Sequence, residues 1–150
     1  MYKRLLVPLD GSSNANEALK TAIDLAQDWH AKLILLHVID ITQFSAQGLG
    51  GGYAAVIKSL RDTSQEILEA ARDYAEEANL ETTMLVREGA PKQIIVELAN
   101  ATDSPIDLIV MGKSGTNAFS RMIVGSTTNY VVQHAEPNVI VVNDLPEPHE

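Results

Sequence analysis

Ile106-Asp107-Leu108-Ile109-Val110-Met111-Gly112-Lys113-Ser114-Gly115 is the stretch that decides the fold. Six residues, apolar except for Asp107, run into a glycine and then into a polar turn. A strand that shows only one face to a core alternates apolar and polar residues. A near-continuous apolar run instead marks a strand covered on both faces, as in a parallel sheet. The same pattern recurs at Leu5 to Leu9, Leu33 to Ile39 and Asn138 to Val142. Thr82 to Val86 differs: Met84 and Val86 alternate with Thr83, Leu85 and Arg87, which predicts an edge strand with one partly wet face.

Helical periods separate these runs. Ala15, Ala18, Leu19, Ala22, Ala26 and Trp29 repeat at three and four residues and share one face. So do Ile57, Leu60, Ser64, Leu68, Ala71, Tyr74, Ala75 and Ala78, then Ile94, Ile95, Leu98, Ala99 and Thr102, and finally Ile123, Thr127, Tyr130, Val131 and His134. Strands alternating with helices predict right-handed crossovers. The expected architecture is a single doubly wound α/β domain, a five-stranded parallel sheet with helices on both faces, spanning residues 1–144. Residues 145–150, with Pro146 and Pro148, are expected to be a flexible tail. Ile41 to Gly52 carries four glycines and no apolar period; it predicts a long loop, either part of a ligand site or an excursion with no ligand role.

Composition bounds the function. The 150 residues are 45% hydrophobic and 21% charged, a globular balance. There is no cysteine, so disulfides and thiolate chemistry are excluded. The first apolar run is too short for a membrane span or a signal-peptide core, which makes a cytoplasmic protein the expectation. A net charge of −9 argues against nucleic acid and membrane as partners. It leaves nucleotides open, because backbone N–H groups at a helix start can hold phosphate.

In an open α/β sheet, ligands bind beyond the carboxyl ends of the strands where strand order reverses. Gly112 and Gly115 follow one buried strand, and Gly125-Ser126 comes ten residues later as a helix begins. Glycines there let backbone approach a phosphate, Ser126 and Thr127 add hydroxyls, and Lys113 and Arg121 add positive charge. The plain alternative is that Gly112 and Gly115 serve a turn and Gly125 a packing contact. Asp10, followed by Ser12 and Ser13, likewise reads as part of a helix N-cap.

The string Gly112-x2-Gly115-x9-Gly125-Ser126 resembles the phosphate-binding signature of ATP-binding universal stress proteins. The likeness runs from Tyr2 to about Asn143. It takes in Leu6-Val7-Pro8-Leu9-Asp10-Gly11-Ser12, Leu35-Leu36-His37-Val38-Ile39-Asp40, Gly89-Ala90-Pro91, Asp107 to Gly112 and Pro137-Asn138-Val139-Ile140-Val141-Val142. What the resemblance implies is a Rossmann-like, adenine nucleotide alpha-hydrolase-like fold with strand order 3-2-1-4-5. It further implies that Gly112, Gly115, Gly125, Ser126 and Thr127 cradle the phosphates of ATP. Val38 would hold adenine through its backbone, with Pro8 and Met111 lining the base and Leu9 beside them. Asp10 would lie near the ribose or a phosphate-bound divalent cation (Mg or Mn), and Gly89 near the sugar. Family members dimerise through the last strand, so Asn138 to Asn143 is the expected homodimer interface.

Other chemistries fail on spacing. There is no Gly-x4-Gly-Lys-Ser/Thr, and the first strand–helix turn holds one glycine where a dinucleotide fingerprint needs three. Gly112-Lys113-Ser114-Gly115 is one residue short of a nucleophile elbow. Asp10-Gly11-Ser12-Ser13 does not match a glycine-rich pyrophosphatase loop. His30, His37, His134 and His149 have no metal-ligand spacing, and His37 reads as a satisfied core histidine. With no water-positioning residue in view, the expected function is nucleotide-dependent regulation with slow or no hydrolysis. The alternatives are a slow ATPase or autophosphorylating protein, for example on Ser114 or Ser126, and a dimeric scaffold with a vestigial site.

Overall fold

A computed structural model describes residues 1–44, 52–113 and 124–143. Five strands, β1 (Arg4–Pro8), β2 (Lys32–Asp40), β3 (Thr82–Gly89), β4 (Leu108–Gly112) and β5 (Asn138–Val142), form one sheet in the order β3-β2-β1-β4-β5. Every pairing is parallel. The helices are α1 (Ser13–Trp29), α2 (Tyr53–Glu77), α3 (Pro91–Asn100) and α4 (Ser126–His134). This is the doubly wound architecture that the sequence pattern predicts, with the strand order that the resemblance implies.

Alternation along the strands sorts the core into two layers. Leu5, Val7, Leu33, Leu35, Leu108 and Val110 pack with Ala18, Ala22 and Ala26 of α1 and Leu68, Ala71 and Ala75 of α2. Leu6, Ile34, Leu36, Ile109 and Met111 pack with Ile95 and Ala99 of α3 and Val131 of α4. The small alanines let α1 lie close over the sheet. From β1 the chain winds outward through α1 and α2, then crosses back through α3 to β4 on the other side. The carboxyl ends of β1 and β4 therefore part company, α1 leaving to one face and α4 to the other. A crevice at such a reversal is where a ligand has access to free backbone.

The aspartate just before β4 ties that strand to the start of β1. Asp107 Oδ2 accepts from the backbone N–H groups of Lys3 at 2.8 Å and Arg4 at 2.9 Å. The one polar residue between Ile106 and Met111 is thus a clamp between β4 and the residues leading into β1.

Some expectations change. β5 is not covered on both faces: it is an edge strand, Asn138 is exposed and Val141 keeps 36% of its surface. An apolar run alone does not distinguish a central strand from an edge strand. Within the helices, Tyr74 is 46% exposed, because Ala71 and Ala75 take the sheet-facing positions on either side of it. Thr102 lies past the end of α3 and is exposed, as is His134 at the end of α4. The Ile41 to Gly52 loop opens with a 3-10 turn, Ile41–Gln43, capped by the Asp40 carboxylate on the Thr42 N–H at 3.0 Å. Residues 45–51 of that loop lie outside the described residues, as do Ile123 and the tail 145–150.

Candidate functional site at the strand-order reversal

β1 ends at Pro8, and the next two residues diverge. The Leu9 N–H donates to Leu36 O at 2.7 Å and its side chain is 4% exposed, in the layer under α1 and α2. Leu9 therefore offers a ligand on the opposite face only backbone. Asp10 is exposed and accepts the Ser12 N–H on Oδ1 at 2.9 Å. Gly11 between them has φ +84°, a conformation that favours glycine. Ser12 then caps α1, its Oγ accepting the Ala15 N–H at 3.2 Å. The two roles open to Asp10 and the serines are divided: Ser12 caps, while Asp10 shapes the turn at the crevice.

At β4 packing supplies its own reason for a glycine. A Cβ on Gly112 would lie 2.7 Å from Asn14 Cβ and 2.8 Å from the Asn14 carbonyl carbon. Gly112 is glycine because the first turn of α1 crosses β4 there. Neither a turn nor a phosphate is needed to explain it. Its carbonyl accepts the Thr128 hydroxyl at 2.8 Å, which anchors α4 to the end of β4. Sequence reasoning chose Ser126 and Thr127 and missed Thr128. The signal was available, since Thr128 precedes Val131 by three residues on the buried stripe.

Lys113 is tied to the end of β5 and to Gly125. The Lys113 N–H donates to Val142 O and the Gly125 N–H to Lys113 O, each at 2.9 Å. Gly112, Lys113, Gly125 and Ser126, separated in sequence, are thereby brought together. Gly125 is the N-cap of α4 with φ −61° and ψ 154°, and it supplies no side-chain cap. The first turn of α4 also has no acidic residue. Its N–H groups and the positive end of the helix dipole are suited to an anion. Ser126 is exposed and Thr127 half-buried. Gly115 and Arg121 lie outside the described residues.

The remaining predicted residues line the same side. Leu6 and Met111 face α3 and α4, so Pro8, two residues after Leu6, points the same way. Pro8 pairs with Leu36, and Val38 packs against that layer two residues further on. Pro8, Val38 and Met111 make an apolar shelf on the face from which α4 starts. Gly89 ends β3 opposite Asp40 with φ +152°, and a Cβ there would meet Ile94 at 3.1 Å. Among the described residues no three acidic or histidine side chains cluster as a metal site. Asp10 could reach a cation only in company with ligand phosphates.

His37 lies behind this site, toward α2. Its Nδ1 is 2.5 Å from Ser64 Oγ, and that hydroxyl donates to Leu60 O at 2.9 Å. With the serine proton used, the imidazole Nδ1–H is the donor. Burial pushes the His37 pKa below 6.5, partly opposed by the Asp10 carboxylate. The unfolded chain then binds more protons than the folded one just below pH 6.5, so stability rises with pH through that window and falls on acidification. Replacing His37 by glutamine is expected to flatten the difference between urea midpoints measured at pH 5.5 and 7.5.

These features define a Rossmann-like α/β domain with an uncapped helix start at its strand-order reversal. The model of the universal stress protein family matches residues 1–143, and the chain belongs to that family. It is 32% identical over 142 residues to a universal stress protein of Methanocaldococcus jannaschii, covering 95% of this chain and 82% of the relative. Among solved structures, the universal stress protein UspA from Lactobacillus plantarum superposes with a TM-score of 0.85 at 32% identity, over 94% of this chain and 97% of that one. A universal stress protein crystallised in complex with cAMP superposes with a TM-score of 0.67 at 26% identity, over 96% and 98% of the two chains. No helix among the described residues is long and apolar enough to cross a membrane.

Proposed function

We propose that this protein binds ATP at the strand-order reversal and acts as a nucleotide-dependent regulatory protein of the stress response, with slow or no hydrolysis. The observation that carries this is the uncapped start of α4, held beside the end of β4 by the Gly125–Lys113 and Thr128–Gly112 hydrogen bonds. Two further facts support it: the Gly112-x2-Gly115-x9-Gly125-Ser126 string is complete, and a relative has been crystallised with an adenine nucleotide, cAMP.

The residues fit such a ligand. Backbone N–H groups following Gly125, with the Ser126 and Thr127 hydroxyls, would hold phosphates, joined by Gly115 and by the charges of Lys113 and Arg121. Gly112 contributes by letting α1 approach β4. Pro8 and Met111 would line the base, Val38 would meet adenine through its backbone and Leu9 would offer only backbone. Gly89 would pass the sugar, and Asp10 would face the ribose or a Mg or Mn ion held mainly by the phosphates. Bound ATP supplies a change of charge and shape rather than chemistry on a protein group.

The same proposal includes a homodimer through Asn138 to Asn143 in a cytoplasmic setting, without nucleic acid or membrane as partners. An edge strand with exposed Val141 is an aggregation liability unless another chain covers it. Val141→Lys is expected to convert the dimer to monomer in analytical ultracentrifugation with little change in melting temperature. A wild-type protein already monomeric at the same concentration would remove this interface.

Co-purified ligand tests the function. Native mass spectrometry of gently purified protein, compared with the absorbance and mass of its denatured supernatant, is expected to show adenine nucleotide near one per chain. No nucleotide, together with no thermal shift on adding ATP and Mg²⁺, would leave the scaffold alternative in its place.

A further inference from the structure

Lys92 occupies an electrostatically awkward position. It is the second residue of α3, a helix with no side-chain cap at Ala90 and no acid in its first turn. Its Nζ lies 5.1 Å from the centroid of the Tyr130 ring on α4, and that ring in turn contacts His134 at a centroid distance of 4.2 Å. A helical side chain covers the turn on the N-terminal side of its own Cα. On the surface of α4, Tyr130 neighbours Ser126 and Thr127, four and three residues before it.

An exposed cation thus stands at the start of α3 and beside the first half of α4, where the dipoles disfavour it. Among the described residues no carboxylate forms an ion pair with it. This occurs in a chain with 20 acidic and 11 basic residues, where counter-charge is plentiful. The aromatic face holds the ammonium in place without neutralising it.

We infer that Lys92, positioned by Tyr130 across the gap between α3 and α4, is a specificity-determining residue that favours the charged phosphate chain of the nucleotide over the bare nucleoside. The inference rests on the nucleotide site proposed above. Neither Lys92 nor Tyr130 belongs to the glycine signature, and the pair becomes visible only when α3 and α4 are brought side by side.

Isothermal titration of the full chain with ATP and with adenosine at low salt tests it, using wild type, Lys92→Gln, Lys92→Arg and Tyr130→Leu. Lys92→Gln is expected to weaken ATP about tenfold, the effect of one charge-assisted contact. Adenosine should bind unchanged, Lys92→Arg should keep most ATP affinity, and Tyr130→Leu should lose part of it. ATP binding to Lys92→Gln as tight as to wild type would overturn the inference. So would equal losses for ATP and adenosine, which would signal a structural effect. Wild type binding neither ligand would instead sink the underlying nucleotide proposal, and this inference with it.

Discussion

Gly112→Val is expected to destabilise the domain by about 3 kcal/mol, the upper end of the usual cost of overpacking a core. The contacts decide this: the first added carbon would sit 2.7 Å from Asn14 Cβ and 2.8 Å from the Asn14 backbone. Neither neighbour is the end of a flexible side chain. Relief requires α1 to lift away from β4, and α1 carries Ala15, Ala18, Ala22 and Ala26 into the same core layer. The loss should appear without any nucleotide present, as a lowered urea midpoint. A Gly112→Val protein with wild-type stability and impaired ATP binding would restore the phosphate explanation of this glycine.

Gly125→Asp is expected to act in the opposite direction on stability. The N-cap backbone at φ −61° and ψ 154° suits any residue, and aspartate is among the best caps. Its carboxylate would accept the N–H groups at the start of α4 and complement the dipole, adding about 1 kcal/mol to stability. The same donors would then be withdrawn from a phosphate and replaced by a like charge. ATP affinity should fall about a hundredfold, the scale of losing charge-assisted hydrogen bonds and adding repulsion. Improved stability with lost binding cannot come from general damage to the fold. Unchanged ATP affinity would mean that the start of α4 does not hold phosphate.

The fold was readable because parallel strands buried on both faces leave uninterrupted apolar runs, as at Leu33–Leu36 and Leu108–Met111. At β5 run and order pulled apart: Val139 to Val142 has the apolar run of a strand covered on both faces, while the expected order 3-2-1-4-5 already put it at the edge, where it lies. Periodicity placed the helix faces but not their margins, where Tyr74 turns outward and Thr128 turns inward. The site was legible as a set of loop residues, because glycines and hydroxyls after buried strands carry a backbone meaning. Their individual reasons were not. The crossing of Asn14 over Gly112 joins residues 98 positions apart, and no local pattern reports it. The pairing of Lys92 with Tyr130 likewise depends on how α3 and α4 pack.

The most direct measurement is an ATP–Mg²⁺ titration of ¹⁵N-labelled protein followed through its backbone amide resonances. The account predicts the largest shifts at Ser126, Thr127 and Thr128, with further shifts at Val38 and Gly89. Shifts confined to the groove between α1 and α2, around Leu19, Ile67 and Tyr74, or no shifts at all, would contradict it.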